Sequence, residues 1–129
     1  MSAVVLDASA LLSLLRNAPG SRKVEGALGD ACMSVVSMAE VASHFHRLGM
    51  PPHLVEQMLR PLPVTLVPAD EELGWQAARL QAAAADAGLS LGDSFCLALA
   101  RRDKLPAWTA NPTWGDIAKT AEVSVVLVA

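Results

Sequence analysis

Charge is scarce in this sequence. Only 18% of its 129 residues are Asp, Glu, Lys or Arg, and 53% are hydrophobic. Disorder is therefore excluded, because disordered chains are poor in apolar residues. An excess of positive charge is missing too. The net charge of −3 argues against a basic, non-specific nucleic-acid coat, but it leaves room for an acidic site flanked by local basic residues. Cysteine occurs twice, as Cys32 and Cys96, both in apolar runs and at a spacing that fits no zinc pattern; they read as buried free thiols. No apolar run reaches the roughly 18 residues of a membrane span. No basic stretch at the N-terminus leads into a cleavable apolar segment. The expectation is a cytoplasmic protein with no membrane partner. Repeats, low-complexity tracts and linkers are absent as well, and the length suits one domain over residues 1–129. A glycine-rich phosphate loop is also missing, since "GLSLGD" lacks the Gly-x-Gly-x-x-Gly order, and this disfavours nucleotide binding.

What is present is an alternation of short apolar strands and helices. Residues 3–7, 32–36, 63–67, 106–109 and 123–128 read as strands. Residues 9–16, 21–28, 38–48, 52–60, 70–87, 93–102 and 113–119 read as helices. Pro51-Pro52 suits a helix start. Asp70, Glu71 and Glu72 sit where a helix dipole favours them. Alanine-rich "QAAAADAG" is a helix end stopped by Gly88. Continuous apolar strands between helices indicate a parallel sheet covered on both faces. The fold class is α/β, a three-layer α/β/α sandwich around a short, mainly parallel central sheet. The apolar run from Phe95 to Ala100 predicts a helix buried on most sides.

Four polar positions stand at junctions in this pattern: Asp7 in "VVLDASALL", Glu40 in "SVVSMAEVASHF", Asp93 in "GLSLGDSFCLALA" and Asn111 in "AWTANPTWGDI". Each has a plain structural reading. Asp7 is a good N-cap. Ser37 to Glu40 and Ser90 to Asp93 have capping-box spacing, and Asn111 before Pro112 is good turn chemistry. Taken together they read differently. A parallel sheet can bring all four to one edge. Asp93 heads a helix too apolar for the surface, and a buried carboxylate without a partner costs several kcal/mol or shifts its pKa. No basic residue lies nearby in sequence. A hard divalent cation would relieve the repulsion, and it keeps waters that can act as nucleophile. The residues thus suggest a metal-assisted hydrolase of phosphate esters.

In these four motifs the sequence resembles the PIN-domain family, and more narrowly the VapC-type ribonuclease toxins of type II toxin–antitoxin modules. The resemblance covers essentially the whole chain. It implies a small α/β/α sandwich that gathers acidic residues around Mg²⁺ or Mn²⁺ and cuts RNA. Carried over by position, it makes Asp7, Glu40 and Asp93 the catalytic, metal-holding acids. The family's fourth acid, found in a Thr-x-Asp context, falls on Asn111 in "TAN", where the shape is kept and the charge is lost. The implied function is a Mg²⁺-dependent endoribonuclease toxin with an RNA substrate and an antitoxin partner. Apolar helices and few surface charges add a homodimer to this expectation. The alternatives are a weakened PIN-like binding module, marked by Asn111, and a structure-specific DNA nuclease, which would want a stronger basic surface. His44 and His46, two apart, point to different sides of a helix and are not a metal pair. Arg16, Arg22, Lys23, Arg101, Arg102 and Lys104 could hold RNA phosphates, or form solvated surface.

Overall fold

In a computed structural model, which describes residues 2–129, the chain builds five strands and seven α-helices. In chain order these are β1 (Val4–Leu6), α1 (Ala8–Leu15), α2 (Ser21–Ala27), β2 (Ala31–Ser34), α3 (Val35–Arg47), α4 (Pro52–Leu59) and β3 (Thr65–Val67). They are followed by α5 (Glu71–Ala83), α6 (Leu91–Asp103), β4 (Ala107–Thr109), α7 (Ala118–Ala121) and β5 (Val125–Leu127). The strands form one sheet in the order β3-β2-β1-β4-β5, and every pairing is parallel. The α/β sandwich expected from the sequence is the fold observed, and its sheet is wholly parallel.

Side-chain alternation along β1 divides the core in two. Val5 points into a cluster with Cys32, Cys96, Leu97, Leu99 and Ala107, covered by α5, α6 and α7. Val4 and Leu6 point the other way, with Met33, Leu11, Val24 and Val41, under α1 to α4. A central strand buried on both faces has no use for polar residues, hence the unbroken "VVL". The run from Cys96 to Ala100 is buried throughout, as its composition demands. α6 packs on β1, β2 and β4, against α5 along its length, and against α3. Cys32 and Cys96 are both buried and free. None of the described helices is long and apolar enough to cross a membrane.

Chain order and strand order together place the site. From β1 the chain winds outward through β2 to β3, then returns to lay β4 on the other side of β1. Strand order therefore reverses between β1 and β4, and open parallel sheets form their crevice at such a point, beyond the strands' C-terminal ends. Asp7 follows β1 there, with its N–H donating to the Trp108 carbonyl at 3.0 Å.

The helix read over 70–87 ends earlier, at Ala83, and a short 3₁₀ turn over Ala85–Ala87 leads to Gly88 at φ +65°. The segment read as a helix over 113–119 is a 3₁₀ turn over Pro112–Asp116 followed by α7. Both differences arise where alanine, glycine or proline weakens periodicity.

Two glycines separate packing from propensity. Gly20 has φ +92°, and a Cβ there would lie 2.3 Å from the Val128 carbonyl oxygen, a backbone atom that cannot step aside. Gly26 is exposed inside α2 with open space around it. Gly20→Ala should destabilise the protein by about 1–3 kcal/mol, whereas Gly26→Ala should stabilise it by about 0.5–1 kcal/mol. Urea unfolding of the two variants checks both signs.

Candidate active site

Asp7 is 2% exposed and holds the centre of the site. One carboxylate oxygen accepts from the Ala10 N–H at 2.7 Å, which caps α1. The other accepts from the Thr109 hydroxyl at 2.5 Å. Ser9 donates to both oxygens, at 2.8 and 2.9 Å. Ser9 in turn accepts from the Ala110 N–H at 2.9 Å, and Thr109 accepts from the Asn111 N–H at 3.0 Å. The end of β1, the start of α1 and the exit of β4 are thus fastened through one carboxylate. The capping reading of Asp7 is correct, yet it accounts for one oxygen only.

All of these partners are neutral. Burial pushes the Asp7 carboxyl up to about 6; hydrogen bonds from Thr109, Ala10 and Ser9 oppose the rise, and the nearby charge of Asp93 adds to it. None of the described ion pairs includes Asp7, Glu40 or Asp93.

Asp93 stands in the first turn of α6. Its carboxylate accepts from the Ser90 N–H at 3.0 Å while Ser90 Oγ accepts from the Asp93 N–H at 3.0 Å, a complete capping box. Glu40 departs from expectation. It does not close a box with Ser37, because the N-cap of α3 is Ser34, whose hydroxyl accepts from the Val36 N–H at 3.1 Å. α3 thus begins at Val35, and Glu40 lies inside it, on the second turn. Ser37 instead donates across to the Gly92 carbonyl at 3.2 Å and ties α3 to the head of α6. The Glu40 carboxylate rests directly on Gly92. A Cβ at that position would meet Glu40 Oε1 at 1.9 Å.

Cys96, one turn beyond Asp93 and fully buried, senses all three acids. Its thiol is raised well above the ordinary value by burial first, and further by Asp7, Asp93 and Glu40. Glu40 meets the head of α6 at Gly92, next to Asp93, and the charge of Asp93 reaches Asp7. The three acids do not form a ready-made cluster of three metal ligands, and none exists among the described residues. Asn111 is placed beside them through Thr109 and spends its side-chain oxygen locally, accepting from the Thr113 N–H at 3.0 Å and the Thr113 hydroxyl at 2.8 Å. Ser9, Thr109 and Gly92 are not singled out by sequence reasoning, and Ser37 is read there only as a capping partner of Glu40. Their only signal is spacing: two residues after Asp7, two before Asn111, one before Asp93 and three before Glu40. His44 lies in a groove beside Glu40 and His46 in a separate apolar cavity with Met38 and Val55, so the histidines do diverge.

Comparison with known proteins gives this parallel sheet, with acids at its switch point, a family. The PIN domain family model matches residues 4–120, so the chain belongs to the PIN family. Among solved structures, a chain of DNA-bound VapBC from Salmonella typhimurium superposes with a TM-score of 0.76 at 13% identity, covering 100% of both chains. A toxin–antitoxin complex from Klebsiella pneumoniae gives 0.72 at 16% identity, covering 98% of each chain. VapC20 of Mycobacterium tuberculosis, a sarcin–ricin loop cleaving toxin, gives 0.71 at 12% identity over 88% of this chain and 94% of its own. At such identities the likeness is one of fold. No curated protein sequence matches the chain.

Asp7 makes stability depend on pH. Its native pKa of about 6 lies above the ordinary 3.8, so the folded state binds its proton more tightly than the unfolded state does. Without divalent metal, this group's contribution should be most favourable below about pH 4. It should fall by about 3 kcal/mol as pH rises from 4 to 6, then level off. Asp7→Asn keeps an oxygen for the Ala10 N–H and removes the charge. It should flatten that slope and raise stability at pH 7.5, measured by urea unfolding in EDTA.

Proposed function

We propose that this chain is a Mg²⁺- or Mn²⁺-dependent endoribonuclease, the toxin of a toxin–antitoxin pair. In this reading residues 1–129 form one domain, which acts on RNA in the cytoplasm as a homodimer and is held in check by an antitoxin protein. The observation that carries the reading is Asp7: a carboxylate buried at the switch point, given only neutral partners, with Asp93 and Glu40 close by. Membership of the PIN family and the likeness in fold to toxin–antitoxin structures support the same reading.

The donor set fits a hard divalent cation. It is anionic, made of oxygen, and not neutralised by any ion pair among the described residues. Asp7, Glu40 and Asp93 would hold the ion, with Asn111 able to add an amide oxygen. Such an ion supplies Lewis acidity, which activates water and offsets charge on a phosphodiester. The rest is done by the chain. Ser9 and Thr109 fix the Asp7 rotamer, Ser90 fixes Asp93, and Ser37 sets α3 against α6. Gly92, lacking a side chain, admits the Glu40 carboxylate to the head of α6.

Millimolar Mg²⁺ or Mn²⁺ should raise the melting temperature, because ions that bind only the native state stabilise it. Asp93→Asn should remove most of that rise. Gly92→Ala is the more selective variant. The three atoms nearest that methyl all belong to the flexible end of Glu40, so the metal-free melting temperature should be nearly unchanged while the metal-induced rise shrinks. An unchanged rise in both variants, read by calorimetry, would overturn the assignment of these acids.

The weakened-module reading rests on Asn111. Aspartate there could accept the same two hydrogen bonds from Thr113 and would add a charge. Asn111→Asp should therefore raise cleavage of single-stranded RNA at limiting Mg²⁺ several-fold. If neither protein cleaves while both bind RNA, the chain is a binding module.

A further inference from the structure

Two grooves flank α1. One, of about 490 Å³, lies between α1 and α3 and is lined by Leu12, Glu40, His44 and Arg47 among others. The other, of about 400 Å³, lies on the opposite side of α1 towards the exit of β4 and is lined by Ser9, Leu12, Arg16 and Ala110 among others. Leu12 is the wall they share. Each groove contains one residue of the acidic site: Glu40 in the first, and in the second Ser9, which is bonded to Asp7. Each also contains one exposed arginine, and neither arginine belongs to an ion pair among the described residues.

The spacing is the same on both sides. Glu40 to Arg47 along α3, and Ser9 in α1 to Arg16 at its C-cap, are both seven residues. Seven residues are two helical turns, roughly 10.5 Å along the axis, and they return to nearly the same face. Both helices start at the C-terminal ends of adjacent strands and run away from the acids. An acidic centre thus has one free guanidinium set back by two turns on either side. Three other arginines, Arg60, Arg101 and Arg102, are paired with carboxylates and face other surfaces.

We propose that a single RNA strand runs across the head of α1 from one groove to the other. Arg47 holds a phosphate on one side of the phosphodiester at the acids, and Arg16 holds one on the other. His44 and Leu12 offer surfaces for the flanking nucleotides. An acidic centre repels a polyanion, and two guanidinium anchors beyond it supply the attraction that the net charge of −3 does not. This assignment rests on the ribonuclease reading and extends it to the substrate's path. The grooves' apolar walls would also suit a peptide, and the test decides between the two.

The test is binding of a fluorescently labelled single-stranded RNA to the full chain in EDTA, by anisotropy over a range of salt concentrations. Arg16→Gln and Arg47→Gln should each weaken binding three- to tenfold, and each should lower the slope of log K against log salt by about 0.7, one phosphate contact on a single strand. The lysine variants should keep most of the slope, and Arg22→Gln, on the exposed side of α2, should change nothing. All variants should keep the wild-type metal-induced rise in melting temperature. If that rise is present and the slope is the same in the glutamine variants, the strand path is wrong and the grooves are left to a protein segment. If the rise is absent in the wild type, the ribonuclease reading itself has failed.

Discussion

The hydrogen bond from Thr109 to Asp7 is the constraint on which the site depends. It joins the ends of two neighbouring strands that are 102 residues apart in sequence. With Ser9 as a second donor, it fixes the Asp7 carboxylate from within while leaving its charge uncompensated. A neutral shell of this kind holds a carboxylate in place without quenching it. A lysine or arginine in the same position would lower the carboxylate's pKa and occupy the space a cation needs. Between β1, α1 and β4 the two small hydroxyls of Ser9 and Thr109 supply that shell.

The two readings of the polar junction residues, cap or site, turn out not to compete. Helices in a parallel α/β fold begin just past the C-terminal ends of strands, and their first N–H groups need acceptors. The crevice forms at the same place. Asp7 caps α1 with one oxygen and faces its neighbours with the other. Asp93 closes a capping box and still raises the pKa of Asp7. Glu40 alone has no capping duty, and it alone depends on a missing side chain, that of Gly92, for its place.

Much of the fold was legible because the strands are so apolar. A stretch such as "VVL" has one comfortable setting, between two helical layers, and alternation with helices makes the sheet parallel. The positions of Asp7 and Asn111 followed from their places just beyond strands, and that of Asp93 from its place at the head of an apolar helix. Glu40 was found as a residue but not as a geometry. Ser34 and Ser37 both precede helix-forming residues, and local spacing does not say which one caps; packing of Ser37 against the Gly92 carbonyl decides it. Ser9 and Thr109 were illegible for a related reason. Serine and threonine next to an acid are common, and only the strand order, with β4 returning to the side of β1, brings these two onto one carboxylate. The helix end at Ala83 was blurred by an alanine run that favours helix on both sides of it, and the one around Gly115 by glycine and proline, which favour it least.

β1 is the first of the five strands in chain order, and its second neighbour, β4, is the fourth. Until β4 docks, one edge of "VVL" presents unpaired backbone groups and Asp7 has no Thr109. Contacts of such long sequence separation carry a large loop-closure cost and form late. The acidic centre is thus assembled only once both helical layers and nearly the whole chain are in place. A nascent or partly unfolded chain holds the acids but not their arrangement. This topology is itself a delay: whatever the acidic centre does, it does only in the completed fold.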